Sequence, residues 1–180
     1  MKLFSIILSA AIIFAAVGCE TAQPKADTKP AMQDQMDKAG PMDSLKAEFK
    51  SKVKPIPFAY KSSQLKLNDP KYSVAGQNLD SYMKKIVLPA LSQIINALPE
   101  GQKIMINGYA SAKGPENAEK GKKGNIAISQ ERADAVLSYI LKNSKISKDR
   151  FETKANGSSN TLPDVNPRSN KNCRVELDIE

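Results

Sequence analysis

Histidine and tryptophan are absent from this 180-residue chain, and it has only two cysteines. Without histidine there is no imidazole for acid–base catalysis, for a Ser-His or Cys-His nucleophile pair, or for a metal site. Two cysteines far apart in sequence do not make a zinc site, and they could close only one disulfide bridge. The composition therefore favours a binding or structural protein over an enzyme, and it predicts neither a cofactor nor a metal.

Aromatic residues make up 6% of the chain, whereas the formal net charge is +8. The acidic and basic residues of 20–52 cancel, so the excess of positive charge lies in residues 53–180. A basic surface suits an anionic partner, such as a lipid surface or an acidic cell-wall polymer, or it merely solvates the fold. Aromatic side chains for base stacking are too few for a nucleic-acid partner to be expected.

The N-terminus begins with Met1-Lys2, and the 15 residues of 3–17 are apolar except for Ser5 and Ser9. A transmembrane anchor needs about 20 apolar residues, so this run is short for one. The pattern is typical of a secretory signal peptide, predicted here for residues 1–18.

The end of this run, Ala16-Val17-Gly18-Cys19, resembles the cleavage box of bacterial lipoproteins. Ala16 stands where leucine is usual, which is more similar to spirochaetal boxes. The resemblance implies a diacylglycerol thioether on Cys19 and an acylated amino group. Several acyl chains give stable anchoring, since each buried methylene contributes about 0.8 kcal/mol. An unlipidated cleavage site with an ordinary thiol is the alternative.

Residues 19–52 are predicted to be the lipidated cysteine and a flexible linker, because prolines interrupt a stretch that has few large apolar residues. Residues 53–180 are predicted to form one domain of the α+β class, with the order β-α-β-α-β-β and its helices on one face of a mixed four-stranded sheet. Apolar residues recur at helical spacing over Leu79–Leu98, where Pro89 is expected to kink the helix or to start a second one, and Ser129 is predicted to cap a further helix. The four strands are predicted from alternating residues: Ile56, Phe58 and Tyr60; Ile104 and Ile106; Phe151, Thr153 and Ala155; and Cys173 to Ile179.

Three segments carry a family resemblance. They are Ile106–Ser111, Asn125–Ala133 and Asn172–Glu176, and in the predicted element order they look like the OmpA-like C-terminal domain, which binds peptidoglycan without a covalent bond. The insert at residues 114–125 is most similar to that of spirochaetal, especially leptospiral, OmpA-like lipoproteins. The resemblance implies a two-layer sandwich over roughly residues 54–180.

In that family an aspartate binds the ammonium group of the diaminopimelate stem peptide, and an arginine, expected in the first turn of the second helix, binds its carboxylate. A guanidinium can hold a carboxylate through two parallel hydrogen bonds. The resemblance places the arginine at Arg132 and the aspartate position at Ser111. It also assigns peptidoglycan contacts to Asn125, Ile128, Ser129 and Arg174.

The chain departs from the family pattern at three positions. Ser111 replaces the aspartate, Lys61 falls where asparagine is often found, and Cys173 falls where the closing strand has its first arginine. Each matched residue also has a purely structural interpretation. Arg132 would pair on the surface with Glu131 or Asp134, Arg174 would pair with Glu176, Asn125 would stabilise its loop, Ser111 would close a turn and Tyr109 would pack.

The sequence thus predicts an outer-membrane lipoprotein that binds peptidoglycan and tethers membrane to cell wall, with a periplasmic domain. A surface-exposed adhesin that keeps the fold while its wall-binding site has decayed is the alternative. The strand parity of Cys173 predicts that its side chain faces the core, and with Cys19 lipidated the thiol of Cys173 is expected to be free.

Overall fold

The computed structural model describes residues 40–179, which contain a mixed four-stranded sheet and four α-helices. The 3₁₀ turns are Pro70–Tyr72, Lys148–Arg150 and Asn170–Asn172. The strands are β1 (Ile56–Pro57), β2 (Ile104–Tyr109), β3 (Phe151–Ala155) and β4 (Arg174–Ile179), and the α-helices are α1 (Pro41–Lys52), α2 (Leu79–Tyr82), α3 (Leu88–Ala97) and α4 (Asn125–Asn143).

The four strands lie in the order β1-β4-β2-β3. Strand β4 is antiparallel to both β1 and β2, whereas β2 and β3 are parallel and are connected through α4. The predicted α+β class and mixed four-stranded sheet are therefore confirmed. Strand β1 is an edge strand of two residues, shorter than the alternation suggested, because Pro55 and Pro57 cannot donate to a sheet.

Helix α4 packs against the central strands at very short range. A Cβ built on Gly108 of β2 would lie 1.9 Å from the carbonyl oxygen of Ser129. Only glycine leaves room for the helix backbone to approach this closely. This contact fixes the height of α4 above the sheet and so the position of every side chain on its inner face.

The first helix corrects the predicted linker boundary. Residues 41–52, which the sequence pattern assigned to the linker, form α1, and Phe49 of this helix is buried in the core together with Val53. Helix α1 contacts α3 and β4. Met42 and Leu45 of α1 also pack against the core, although they are only partly buried. The remaining linker residues, Cys19 and the predicted signal peptide lie outside the described residues.

The apolar residues from Leu79 onward form consecutive helical segments, α2, a π-helical turn and α3, with no break between them. Residues Met83–Val87 form a π-helical turn, and the N–H of Leu88 donates to the carbonyl oxygen of Met83, five residues earlier. Pro89 follows in the first turn of α3. Proline has no N–H, and the wider turn places it where none is needed. The predicted division at Pro89 thus corresponds to a change from π-helical to α-helical backbone, with α3 beginning at Leu88.

Within residues 40–179 no helix is both long and apolar enough to cross a membrane.

Candidate functional site

The start of α4 is built by the insert that precedes it. The helix begins at Asn125, one residue after Gly124, and the Asn125 side chain donates to the carbonyl oxygen of Gly114 at 2.9 Å. The backbone N–H of Asn125 donates to the carbonyl oxygen of Pro115. Asn125 is therefore buried and joins the two ends of the insert, as its structural interpretation predicted.

Ser129 is not the N-cap of this helix, so that prediction was wrong. It lies in the second turn, where its hydroxyl donates to the carbonyl oxygen of Ile126 and accepts a hydrogen bond from the N–H of Gly157 at 3.0 Å. Serine is a favoured N-cap residue, which explains the error, but the backbone bonds of the insert start the helix one turn earlier. Through the hydrogen bond from Gly157, Ser129 instead connects α4 to the loop after β3.

Arg132 lies about two turns into α4, not in its first turn, and only 1% of it is exposed. Its guanidinium donates to three backbone carbonyl oxygens: Nε to Ser62 at 2.9 Å, Nη1 to Tyr109 at 2.7 Å and Nη2 to Ala59 at 3.0 Å. The surface pairing with Glu131 or Asp134 is wrong. Arg132 ties the loop after β1 to the end of β2.

Burial lowers the pKa of Arg132, and the nearby Cys173 acts in the opposite direction. An arginine stays charged even so, because its ordinary pKa is far above neutrality. Its hydrogen bonds go to carbonyl dipoles and none goes to a carboxylate. Within residues 40–179, the centre of the candidate site is therefore a buried cation that has no carboxylate partner.

Ser111 and Cys173 lie beside this cation. Both are 1% exposed, and the Cys173 thiol is hydrogen-bonded to the Ser111 hydroxyl at 3.7 Å. Among the described residues Cys173 is a free cysteine and is buried, as predicted. Ser111 lies directly before the turn at Ala112 and Lys113, and its burial keeps its hydroxyl away from any ligand in solvent.

Arg174 lies on the opposite face of the sheet from α4. Its guanidinium stacks 4.0 Å from the centre of the Tyr109 ring, and its Nε donates to Glu176 at 2.6 Å. Its Nη2 donates to the carbonyl oxygen of Asn160. The structure therefore does not bring Arg174 together with Arg132, and the predicted structural roles of Arg174 and Tyr109 describe these contacts.

An open groove of about 650 Å³ lies over the loop that Arg132 holds. Ile128 is the one predicted site residue in its wall, and the lysines were missed by sequence reasoning. The cluster Lys120, Lys122 and Lys123 in the insert was a visible signal, but it did not indicate that Lys61 lies opposite. We call this feature the lysine groove; it is lined by Lys61, Ser62, Ser63, Gln64, Lys122, Lys123, Ile128 and Glu131.

Glu131, the one carboxylate that the described residues contribute to the lysine groove, is already bound. Glu131 accepts hydrogen bonds from Lys123 and from the hydroxyl of Ser63, and the bond from Lys123 is the main cause of its lowered pKa. Three lysines and one glutamate give the groove a formal net charge of +2. Such a surface is able to bind an anionic or polar ligand without any covalent chemistry. Across residues 40–179 no group of acidic side chains and cysteines is arranged to hold a metal ion.

The sequence model of the OmpA family matches residues 78–174, more than half of the chain. The chain belongs to the OmpA family. The matched range runs from the residue before α2 to the first residue of β4 and contains five of the six predicted site residues at its inner positions, with Arg174 at its end.

Solved structures agree with the OmpA-family fold. The C-terminal domain of MotB from Helicobacter pylori superposes with a TM-score of 0.50 at 19% identity, covering 71% of this chain and 86% of that one. The peptidoglycan-associated lipoprotein from Burkholderia pseudomallei gives a TM-score of 0.50 at 16% identity, covering 71% and 91%. At these identities the likeness shows the fold alone. No curated protein sequence matches the chain.

Proposed function

We propose that this protein is an outer-membrane lipoprotein whose OmpA domain binds peptidoglycan through the diaminopimelate stem peptide and tethers membrane to cell wall. The family supports this, since one structural relative is described as peptidoglycan-associated. No step makes or breaks a covalent bond, so the proposed role is that of a binding protein and not of an enzyme. The resemblance of the insert to spirochaetal lipoproteins stays a prediction.

The observation that carries the proposal is the lysine groove beside Arg132. Arg132 holds the Ser62 carbonyl, and Ser62 itself lines the groove. Asn125 and Ser129 fix the start of α4, from which Ile128 projects into the groove wall. In this arrangement Ile128 contacts the ligand, while Arg132, Asn125 and Ser129 position the surfaces that do.

Co-sedimentation of the full chain with purified diaminopimelate-type peptidoglycan tests this function. Ile128→Trp fills the groove with a larger neutral side chain and should reduce the bound fraction at least tenfold. Ile126→Trp is the matched control, because Ile126 lies two residues earlier on α4, is 43% exposed and does not line the groove. Failure of the wild-type chain to co-sediment would contradict the proposal, and equal binding by the two variants would place the ligand elsewhere.

The membrane anchor has its own test. With Cys19 lipidated, the protein should partition into the detergent phase, and Cys19→Ala should abolish lipid labelling and leave that phase. Persistence of the variant in the detergent phase would indicate a different anchor. This result is independent of peptidoglycan binding.

A second candidate function is a surface-exposed adhesin with the same fold. The adhesin function is favoured because the two positions that bind ligand in the family are both inaccessible here. The guanidinium of Arg132 is hydrogen-bonded to three backbone carbonyls, and Ser111 is buried. Protease treatment of intact cells separates the two locations. A periplasmic domain survives, and a surface-exposed domain is degraded.

A further inference from the structure

We propose that the lysine groove recognises the stem peptide through its carboxylates and does not recognise its amino group. This inference rests on the proposed function and defines the ligand chemistry of the same site. It follows from which charged groups in the groove are free and which are already bound.

Two cations border the groove without a carboxylate partner in the described part of the chain. Lys61 has its ammonium group 5.4 Å from the centre of the Tyr60 ring, and Lys122 is exposed on the hairpin of the insert. A third ammonium group, that of Lys113, lies 4.9 Å from the same ring and donates to the amide oxygen of Asn170. The ring and the amide are neutral, so these lysines remain available to a ligand anion.

The anions near the groove are, by contrast, occupied. Glu131 is held by Lys123 and Ser63. Glu116 of the insert accepts hydrogen bonds from the N–H and the hydroxyl of Ser158. Glu119 lies on the hairpin but does not line the groove. In the part of the chain that the structure describes, a ligand ammonium entering the groove would therefore meet excess positive charge and no free carboxylate.

The buried residues below the groove do not change this balance. Ser111 is neutral and buried, and Arg132 adds a further positive charge. A stem peptide has several carboxylates for each amino group, so it suits a site of this sign. Since the lysines are exposed, each contact should contribute modestly, and binding should weaken as ionic strength rises.

Chemical modification of the ligand tests the inference directly. The full chain is co-sedimented with native peptidoglycan, with peptidoglycan whose amines have been acetylated, and with peptidoglycan whose carboxylates have been amidated. We expect affinity for the acetylated wall to equal or exceed that for the native wall, and affinity for the amidated wall to fall at least tenfold. A fivefold loss on acetylation, or no loss on amidation, would overturn the inference while the proposed function stands. No binding to native wall would overturn both.

Substitutions in the protein provide the second arm. Lys61→Gln combined with Lys122→Gln should weaken binding about three- to tenfold, the effect of losing two exposed charge pairs. Lys85→Gln combined with Lys142→Gln removes the same charge from exposed helix positions outside the groove and should bind like the wild type. An equal loss in both double variants would indicate a response to net charge alone, and it would contradict recognition by the groove.

Discussion

The thiol of Cys173 and the hydroxyl of Ser111 are in contact, with their sulfur and oxygen atoms 3.7 Å apart. By the family resemblance, these are the positions at which OmpA-like domains carry an arginine and an aspartate. Two departures that look independent in the sequence are therefore neighbours in the fold, where a small neutral pair stands in place of two opposite charges. Arg132, which lies beside them, keeps its charge and satisfies it with backbone carbonyls.

The first prediction concerns the reactivity of this thiol. Cys173 is 1% exposed, so an alkylating reagent should label it only after the protein is denatured. The measurement is mass-spectrometric labelling of the Cys19→Ala variant, in which Cys173 is the remaining cysteine. Rapid labelling of the folded protein, or a disulfide-linked dimer as its main form, would contradict the burial.

Arg132 is the subject of the second prediction. Arg132→Ala removes three hydrogen bonds to backbone carbonyl groups and leaves a cavity, so the free energy of unfolding should fall by about 2–4 kcal/mol. Chemical denaturation of wild type and variant measures this difference.

Asp134→Ala provides the comparison for Arg132, because Asp134 is exposed on the same helix and accepts one hydrogen bond from Gln130. It should change stability by less than about 0.5 kcal/mol. If Arg132→Ala proves as stable as Asp134→Ala, then Arg132 does not hold the loop after β1 in solution.

Strands and helices of this domain are readable from sequence where one face is buried. In β4, Val175 and Leu177 are buried and alternate with Glu176 and Asp178, so the strand pattern is clear, whereas in β2 the buried Met105 lies between Ile104 and Ile106 and blurs the alternation. Helix α1 was missed because its stability comes from packing of Phe49 on the core and not from a strong periodic pattern.

The candidate site was predicted less well, and the reason is physical. The three carbonyls around Arg132 belong to residues 59, 62 and 109, and a backbone oxygen is the same in every residue type. Arginine is seldom fully buried, so sequence reasoning places it on the surface. The groove joins Lys61 to Lys122 across two loops, and that pairing appears only when the chain has folded.

The third prediction tests the close approach of α4 to β2. In Gly108→Ala the new methyl group would meet the Ser129 carbonyl at 1.9 Å, which is a backbone atom and cannot rotate away. The helix must shift, and we expect a loss of about 2–4 kcal/mol in the free energy of unfolding. Gly40→Ala is the control, since its methyl group would make an ordinary contact of 3.5 Å with Asp43. Equal stability of the two variants would refute the tight packing.

The fourth prediction concerns the pH dependence of a surface cluster on α2. Asp80 accepts hydrogen bonds from Lys84 and from the hydroxyl of Tyr139, both at 2.8 Å, and the bond from Lys84 is the larger cause of its lowered pKa. Burial and the contact with Asp80 raise the pKa of Tyr139. The cluster links α2 to α4, so its loss should lower the free energy of unfolding.

The sign of this effect follows from proton linkage. A carboxyl group whose pKa is lower in the folded state adds stability above its unfolded-state pKa, about 3.8 for aspartate, and that contribution disappears as the pH falls through the folded-state value. Asp80→Asn should therefore cost about 0.5–1 kcal/mol at pH 7, and the difference from wild type should shrink as the pH is lowered below about 4. Urea denaturation across this pH range measures it. Asp134→Asn should show little difference at either end, and a penalty for Asp80→Asn that stays constant with pH would mean that the carboxylate charge does not contribute.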